Sequence, residues 1–121
     1  MAQPLYQGGR ITSQYRLAWA QRDEAELSYK QTVQQAFTDV SNSLVAYRQA
    51  RLLRMKLQEQ TETYKETSRL ANVRFTGGAT SFLEVLTTQQ QYFNSELQLT
   101  QAWAGEMQSY VQLYQALGGG W

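Results

Sequence analysis

Arg74-Phe75-Thr76-Gly77-Gly78-Ala79-Thr80-Ser81-Phe82-Leu83-Glu84-Val85-Leu86 is the stretch that decides the fold. Helical periodicity runs up to Thr76 and resumes at Phe82, with two adjacent glycines between. A helix end commonly needs a residue at φ > 0, where a Cβ is penalised, so Gly77-Gly78 reads as the close of one helix. Thr80 or Ser81 then caps the next helix by offering a side-chain oxygen to its free N–H groups. Glu84 is favourable in that helix's first turn. The chain should reverse here.

Outward from this turn, the breakers are orderly. No glycine or proline falls between Arg10 and Thr76, and from Phe82 to Leu117 only Gly105 intervenes. One such glycine costs a helix about 1 kcal/mol relative to alanine without ending it. The remaining breakers are Pro4, Gly8 and Gly9 at the start and Gly118 to Gly120 at the end. The reading is all-α: a lead segment 1–9, a long helix 10–76, a tip turn 77–81, a shorter helix 82–117 and a Gly-rich tail 118–121. One reversal is expected, inside 75–82; the place where the long helix would most readily depart from this, by a bend, is 38–43, where Asp39, Ser41, Asn42 and Ser43 weaken helix propensity.

Both segments carry four-three apolar steps and neither alternates like a strand. In the second, Phe82, Leu86, Gln89, Phe93, Leu97, Thr100, Ala104, Met107, Val111 and Tyr114 form a heptad-like seam. Val85, Tyr92, Leu99, Trp103, Tyr110 and Leu117 run beside it. In the first, Val33, Phe37, Val40, Leu44 and Tyr47 repeat the step. An antiparallel, coiled-coil-like hairpin then pairs Phe75 with Phe82, Ala71 with Leu86, Tyr64 with Phe93, Leu53 with Ala104, Ala50 with Met107 and Tyr47 with Tyr110.

At 1.5 Å per residue the helices would be about 100 Å and about 54 Å long. The stretch before Phe37 would therefore have no cover from the second helix. Yet it carries Ile11, Tyr15, Trp19, Tyr29, Val33 and Phe37. A lone helix with such a stripe needs a partner in water. Self-association through these residues is expected, most simply as a two-fold dimer.

Composition excludes much else. Eleven basic and ten acidic side chains leave a net charge of +1. That lacks the cationic surplus of a nucleic-acid binder. Cysteine and histidine are both absent, which removes disulfides, the usual zinc sites and Ser-His or Cys-His nucleophiles. No enzyme activity and no cofactor are expected. No apolar run approaches the ~18–20 residues of a membrane-spanning helix, and no signal peptide is visible. The chain by itself is expected to be soluble.

Three stretches resemble the TolC-like outer-membrane efflux factors, in the lipoprotein branch related to OprM, CusC and NodT. Pro4-Leu5-Tyr6-Gln7-Gly8-Gly9-Arg10 is similar to that family's exit from its last membrane strand. Arg74 to Leu86 is similar to its periplasmic hairpin tip, R-Y-x-x-G-x-x-S-Y-L-x-V-L. Leu113-Tyr114-Gln115-Ala116-Leu117-Gly118-Gly119-Gly120-Trp121 is similar to its C-terminal L-Y-x-A-L-G-G-G-W. The resemblance covers the whole chain and implies roughly the last quarter of such a protein. It implies a helical hairpin of a periplasmic α-barrel, trimeric in the parent channel and located at the outer membrane and periplasm.

The implied function is channel wall in a tripartite pump for multidrug or metal efflux. The implied partners are further copies of itself, a periplasmic adaptor and, indirectly, an inner-membrane pump. On this reading Arg74, Phe75, Gly77, Gly78, Ala79, Thr80, Ser81 and Phe82 form the adaptor-docking tip. Ala79 stands where the family often has a larger apolar residue. The alternative is a free-standing, self-assembling coiled coil derived from such a gene, without transport activity.

Plainer readings stand beside these. Gly77-Gly78 serves a helix-reversing loop as well as a docking tip. Glu59, Glu62 and Glu66 share a helical face, but with Lys65 and Arg69 nearby they read as solvated ion pairs. Arg48, Arg51, Arg54 and Lys56 read as a solvated face or as a contact with an acidic neighbouring helix. Trp19, Trp103 and Trp121 read as packing anchors.

Overall fold

The computed structural model describes residues 8–119. It holds two helices and, among the described residues, no strand. α1 spans Arg10–Thr76, 67 residues, and α2 spans Phe82–Ala116, 35 residues. Leu117, expected inside the second helix, is instead its C-cap. Tail residues Gly120 and Trp121, and the lead segment through Gln7, lie outside the described residues.

α1 is helical without a break through residues 38–43, and no second reversal falls between Arg10 and Asn72. Thr38 Oγ1 donates to the Gln34 carbonyl at 2.9 Å, and Gln35 Nε2 donates to Asp39 Oδ1 at 2.8 Å.

Packing divides the chain into two units, the second beginning at Val40. In the first, every described side chain is exposed except the half-buried Val33. Tyr15 meets Trp19 edge to face at 6.1 Å, and the Arg22 guanidinium lies 5.0 Å from the Trp19 ring centre. These contacts run along one helix face and leave the stripe itself uncovered.

The second unit is an antiparallel hairpin with a narrow inner seam. From α1 it takes Ala50, Arg54, Leu57, Thr61, Tyr64, Ser68 and Ala71, in strict three-four steps. From α2 it takes Val85, Ser95, Glu106 and Ser109 as buried residues. Thr88, Tyr92, Leu99, Ala102, Leu113 and Ala116 are half-buried between or beyond them. The expected register holds at two places along the hairpin: the Phe75 and Phe82 rings are 5.4 Å apart, and those of Tyr47 and Tyr110 are 5.9 Å apart.

The expected face of α2 does not hold. Phe82, Leu86, Phe93, Leu97, Met107, Val111 and Tyr114 are all exposed, Phe93 by 66%. Leu53, paired on paper with Ala104, is exposed as well. The helix presents to α1 a mixed stripe, in which Ser95, Ala102, Glu106 and Ser109 alternate with Val85, Tyr92, Leu99 and Leu113, and its larger apolar stripe outward. Small side chains let the two backbones approach closely, and the polar ones are satisfied locally. Thr61 Oγ1 donates to the carbonyls of Leu57 at 2.8 Å and Ser95 at 3.2 Å. Ser95 Oγ donates to the Tyr92 carbonyl at 2.7 Å, and Ser109 Oγ to that of Glu106 at 2.8 Å. Ala71 and Val85 are the only buried hydrophobic residues among those described. Such a core is far smaller than the apolar surface displayed outside it.

Candidate docking tip and outward apolar faces

The tip is built by two complementary helix ends. Gly78 takes φ +71°, the left-handed conformation that closes α1. Its N–H donates to the Phe75 carbonyl at 2.9 Å, and the Ala79 N–H donates to that of Arg74 at 2.8 Å. These two bonds define a Schellman motif, satisfying carbonyls that α1 would otherwise leave free. Gly77 is different: a Cβ there would lie 3.6 Å from the Val73 and Arg74 carbonyls, an ordinary contact. Of the two glycines, backbone geometry requires only Gly78.

Ser81 is the N-cap of α2, with φ −83° and ψ 155°, and its Oγ accepts from the Glu84 N–H at 3.4 Å. Thr80, the other candidate cap, donates its hydroxyl to the Glu84 carboxylate instead. Arg74 in the last turn of α1 and Glu84 in the first turn of α2 each complement the dipole of their own helix. They also approach across the turn at 3.6 Å. Ser81→Ala should lower hairpin stability by about 0.5–1 kcal/mol through the lost cap. Thermal unfolding followed by circular dichroism checks this, and an unchanged midpoint would mean that Thr80 can replace the cap.

Around this frame, Phe75, Phe82 and Leu83 are exposed, while Thr80 is half-buried. The structure places Arg74 and Phe75 in the last turn of α1, Gly77 to Ser81 in the connection and Phe82 at the start of α2. It places Ile11, Tyr15, Trp19, Tyr29 and Phe37 on the exposed surface of the first unit, with Tyr29 71% and Phe37 72% exposed. Val33 is half-buried there.

A second Schellman motif ends α2. Gly118, at φ +85°, donates to the Gln115 carbonyl at 3.0 Å, and Gly119 donates to that of Tyr114 at 3.0 Å. A Cβ on Gly119 would sit 2.4 Å from the Tyr114 ring. The Tyr114-to-Gly119 part of the C-terminal motif is thus a helix stop with an aromatic ring laid over its glycine.

In the basic run, Arg48, Arg51 and Lys56 are exposed, while the half-buried Arg54 contacts an acidic residue of the neighbouring helix, the second of the two readings of that run. Arg54 Nε donates to Glu106 Oε2 across the seam, and Arg54 Nη1 donates to Gln58 Oε1 at 3.1 Å. Glu106 is only 5% exposed. The available signal was small: a charged residue standing on the same heptad as Leu99 and Leu113. The acidic face behaves as expected of solvated pairs. Arg69 donates two hydrogen bonds to Glu66, at 2.7 and 2.8 Å, and these hold the exposed carboxyl below its ordinary range.

Two further features point outward from the hairpin. Ala50, Leu53, Leu57, Ala102 and Gly105 line an open apolar hollow on its surface. A Cβ on Gly105 would meet nothing in this chain. Among the described residues no helix is long and apolar enough to cross a membrane, and no cluster of acidic residues is placed to hold a metal.

A helical pair with so little between its helices leaves much apolar surface outside. The chain belongs to the outer membrane efflux protein family, which it matches over residues 1–119. It is 32% identical to the solvent efflux pump outer membrane protein SrpC of Pseudomonas putida, over 98% of this chain and 25% of the relative. It is 31% identical to the outer membrane protein OprJ of Pseudomonas aeruginosa, again over 98% and 25%.

Among solved structures, it is similar to the Campylobacter jejuni CmeC outer membrane channel. The TM-score is 0.77 and the identity 28%, over 99% of this chain and 25% of that one. A membrane protein of Pseudomonas aeruginosa gives a TM-score of 0.79 at 28% identity, over 96% and 27%. The chain therefore spans about a quarter of the length of the relatives it matches.

Proposed function

We propose that this hairpin is a wall segment of an outer-membrane efflux channel and that its tip docks a periplasmic adaptor. The observation that carries the wall role is the inversion on α2. The large apolar stripe from Phe82 to Tyr114 faces away from α1, where further helices of the same channel would cover it. Burying each such side chain is worth about 1.5–3 kcal/mol, so a chain leaving this many exposed has its stable state inside a larger bundle. The hollow beside Gly105 supports this, because an exposed mid-helix glycine without an intrachain contact suits close approach by another helix. In the parent channel the assembly would be a trimer, localised to the outer membrane with the hairpin in the periplasm. It would act with an adaptor and, through that adaptor, an inner-membrane pump. The conduit would be lined by polar Gln, Thr and Ser side chains, with no chemistry performed.

The docking role rests on Arg74 to Phe82. The turn is held rigid by a Schellman motif and a capped α2, while Ala79 and the Phe75–Phe82 pair remain at the surface. Ala79→Asp, in a full-length channel carrying this hairpin, should reduce adaptor cross-linking and efflux several-fold. Folding stability should stay within about 0.5 kcal/mol, as for other exposed substitutions. Cross-linking and efflux that both stay at their original level would reduce the tip to a structural turn.

A further inference from the structure

The geometry points to the Arg54–Glu106 pair as the device that selects which face of α2 turns toward α1, and hence which face is displayed to neighbouring helices. α2 has two stripes able to serve as a seam, and hydrophobicity alone favours the one that the fold leaves outside. The outward stripe carries Phe82, Leu86, Phe93, Leu97, Met107, Val111 and Tyr114, whereas the inner one mixes Val85, Tyr92, Leu99 and Leu113 with Ser95, Ala102, Glu106 and Ser109. Something must oppose that preference.

The inner seam of the hairpin carries one charged residue from each helix, Arg54 and Glu106, and they meet each other. Glu106 is almost wholly buried, while the Arg54 side chain is 24% exposed and also engages Gln58. A buried carboxylate without its cation is strongly unfavourable, whereas a hydrogen-bonded pair is tolerated. Turning α2 so that its large stripe faced α1 would carry Glu106 away from Arg54. The arginine would then remain on the seam against apolar side chains. A lone polar or charged pair in a seam is the best-attested means of fixing how helices are set against one another. Arg54 and Glu106 are positioning residues: by setting the facing of α2 they decide what a neighbouring helix meets.

The test uses the 121-residue chain with two disulfide reporters. Thr61→Cys with Ser95→Cys reports the observed facing, since Thr61 Oγ1 lies 3.2 Å from the Ser95 carbonyl. Tyr64→Cys with Phe93→Cys reports the alternative, with the large stripe inward. Disulfides form only where Cα atoms come within about 7 Å, so the two reporters exclude each other.

In the otherwise unchanged chain the first reporter should oxidise and the second should not. Glu106→Lys sets two cations together and should cut the yield of the first about tenfold while raising the second. The exchanged pair, Arg54→Glu with Glu106→Lys, should restore the first. A Glu106→Lys chain that keeps the first reporter at full yield overturns the proposal. If Glu106→Lys instead loses its helix content, the exchanged pair decides. Recovery of both helix and first reporter supports the proposal, and recovery of helix alone, or of neither, overturns it.

Discussion

A chain carrying both Trp19→Glu and Phe37→Glu should sediment as a 13.9 kDa monomer at micromolar concentrations where the unchanged chain is expected to dimerise. The first unit exposes Ile11, Tyr15, Trp19, Tyr29 and Phe37 along α1, with no cover inside that unit. In a two-fold pairing each of these side chains would be buried twice. Removing Trp19 and Phe37 from both copies then withdraws about 6 kcal/mol even at the low end of 1.5 kcal/mol per large side chain. That is within the ~4–15 kcal/mol by which association is opposed, so it is enough to dissolve a modest dimer. Four introduced carboxylates along the same contact add repulsion. Arg22 stacked on Trp19 does not replace the missing partner, since the ring stays 47% exposed beneath it. Sedimentation equilibrium is the measurement. A single monomeric mass for the unchanged chain across the micromolar range would remove the basis of the proposal.

Gly78→Val should be the most damaging single change in the hairpin turn, and Gly77→Ala close to harmless. Gly78 holds φ +71° within the Schellman motif, and a β-branched residue in that conformation costs about 1–3 kcal/mol. For a domain of this size, a loss near 2 kcal/mol lowers the melting midpoint by roughly 10 °C. Gly77 has no positive φ, and its added Cβ would meet carbonyls only at 3.6 Å. There the reduced freedom of the unfolded chain can even raise stability by about 0.5 kcal/mol. Thermal unfolding of the two variants side by side distinguishes the positions. Equal losses at both would show that the paired glycines are needed for something other than the left-handed backbone. Since Gly78→Val would disturb the tip as well as the fold, adaptor docking is better probed by Ala79→Asp.

Much of this architecture was legible before any coordinates. A helix ends where its carbonyls can be capped, and only a few residue types can do that. Gly78, Ser81 and Gly118 therefore mark the helix boundaries to within two residues. The hairpin register was legible for a related reason. One short turn leaves the two helices little freedom to slide, and Phe75 with Phe82 and Tyr47 with Tyr110 meet as the arithmetic of that turn requires. The tip residues were legible together because they are contiguous. Arg54 was less so, because it was read with Arg48, Arg51 and Lys56 as one basic run, while Glu106 stood alone.

The sequence by itself determined the all-α class, the two helices, their reversal at Gly77-Gly78 and the residues gathered at the tip. Each follows from local chemistry: φ at glycine, side-chain caps, and a three-four apolar step. Only the tertiary structure decided which stripe of α2 faces α1. Hydrophobic periodicity records that a face is withdrawn from water, not which neighbour withdraws it. On α2 two stripes share the helical period. The larger one, with Phe93, Leu97 and Met107, was the natural choice for a hairpin considered alone. The fold instead sets Ser95, Glu106 and Ser109 inside, because small residues allow close approach and Arg54 supplies the one cation that Glu106 needs. That pairing joins residues from two helices, and no periodicity within either helix encodes it.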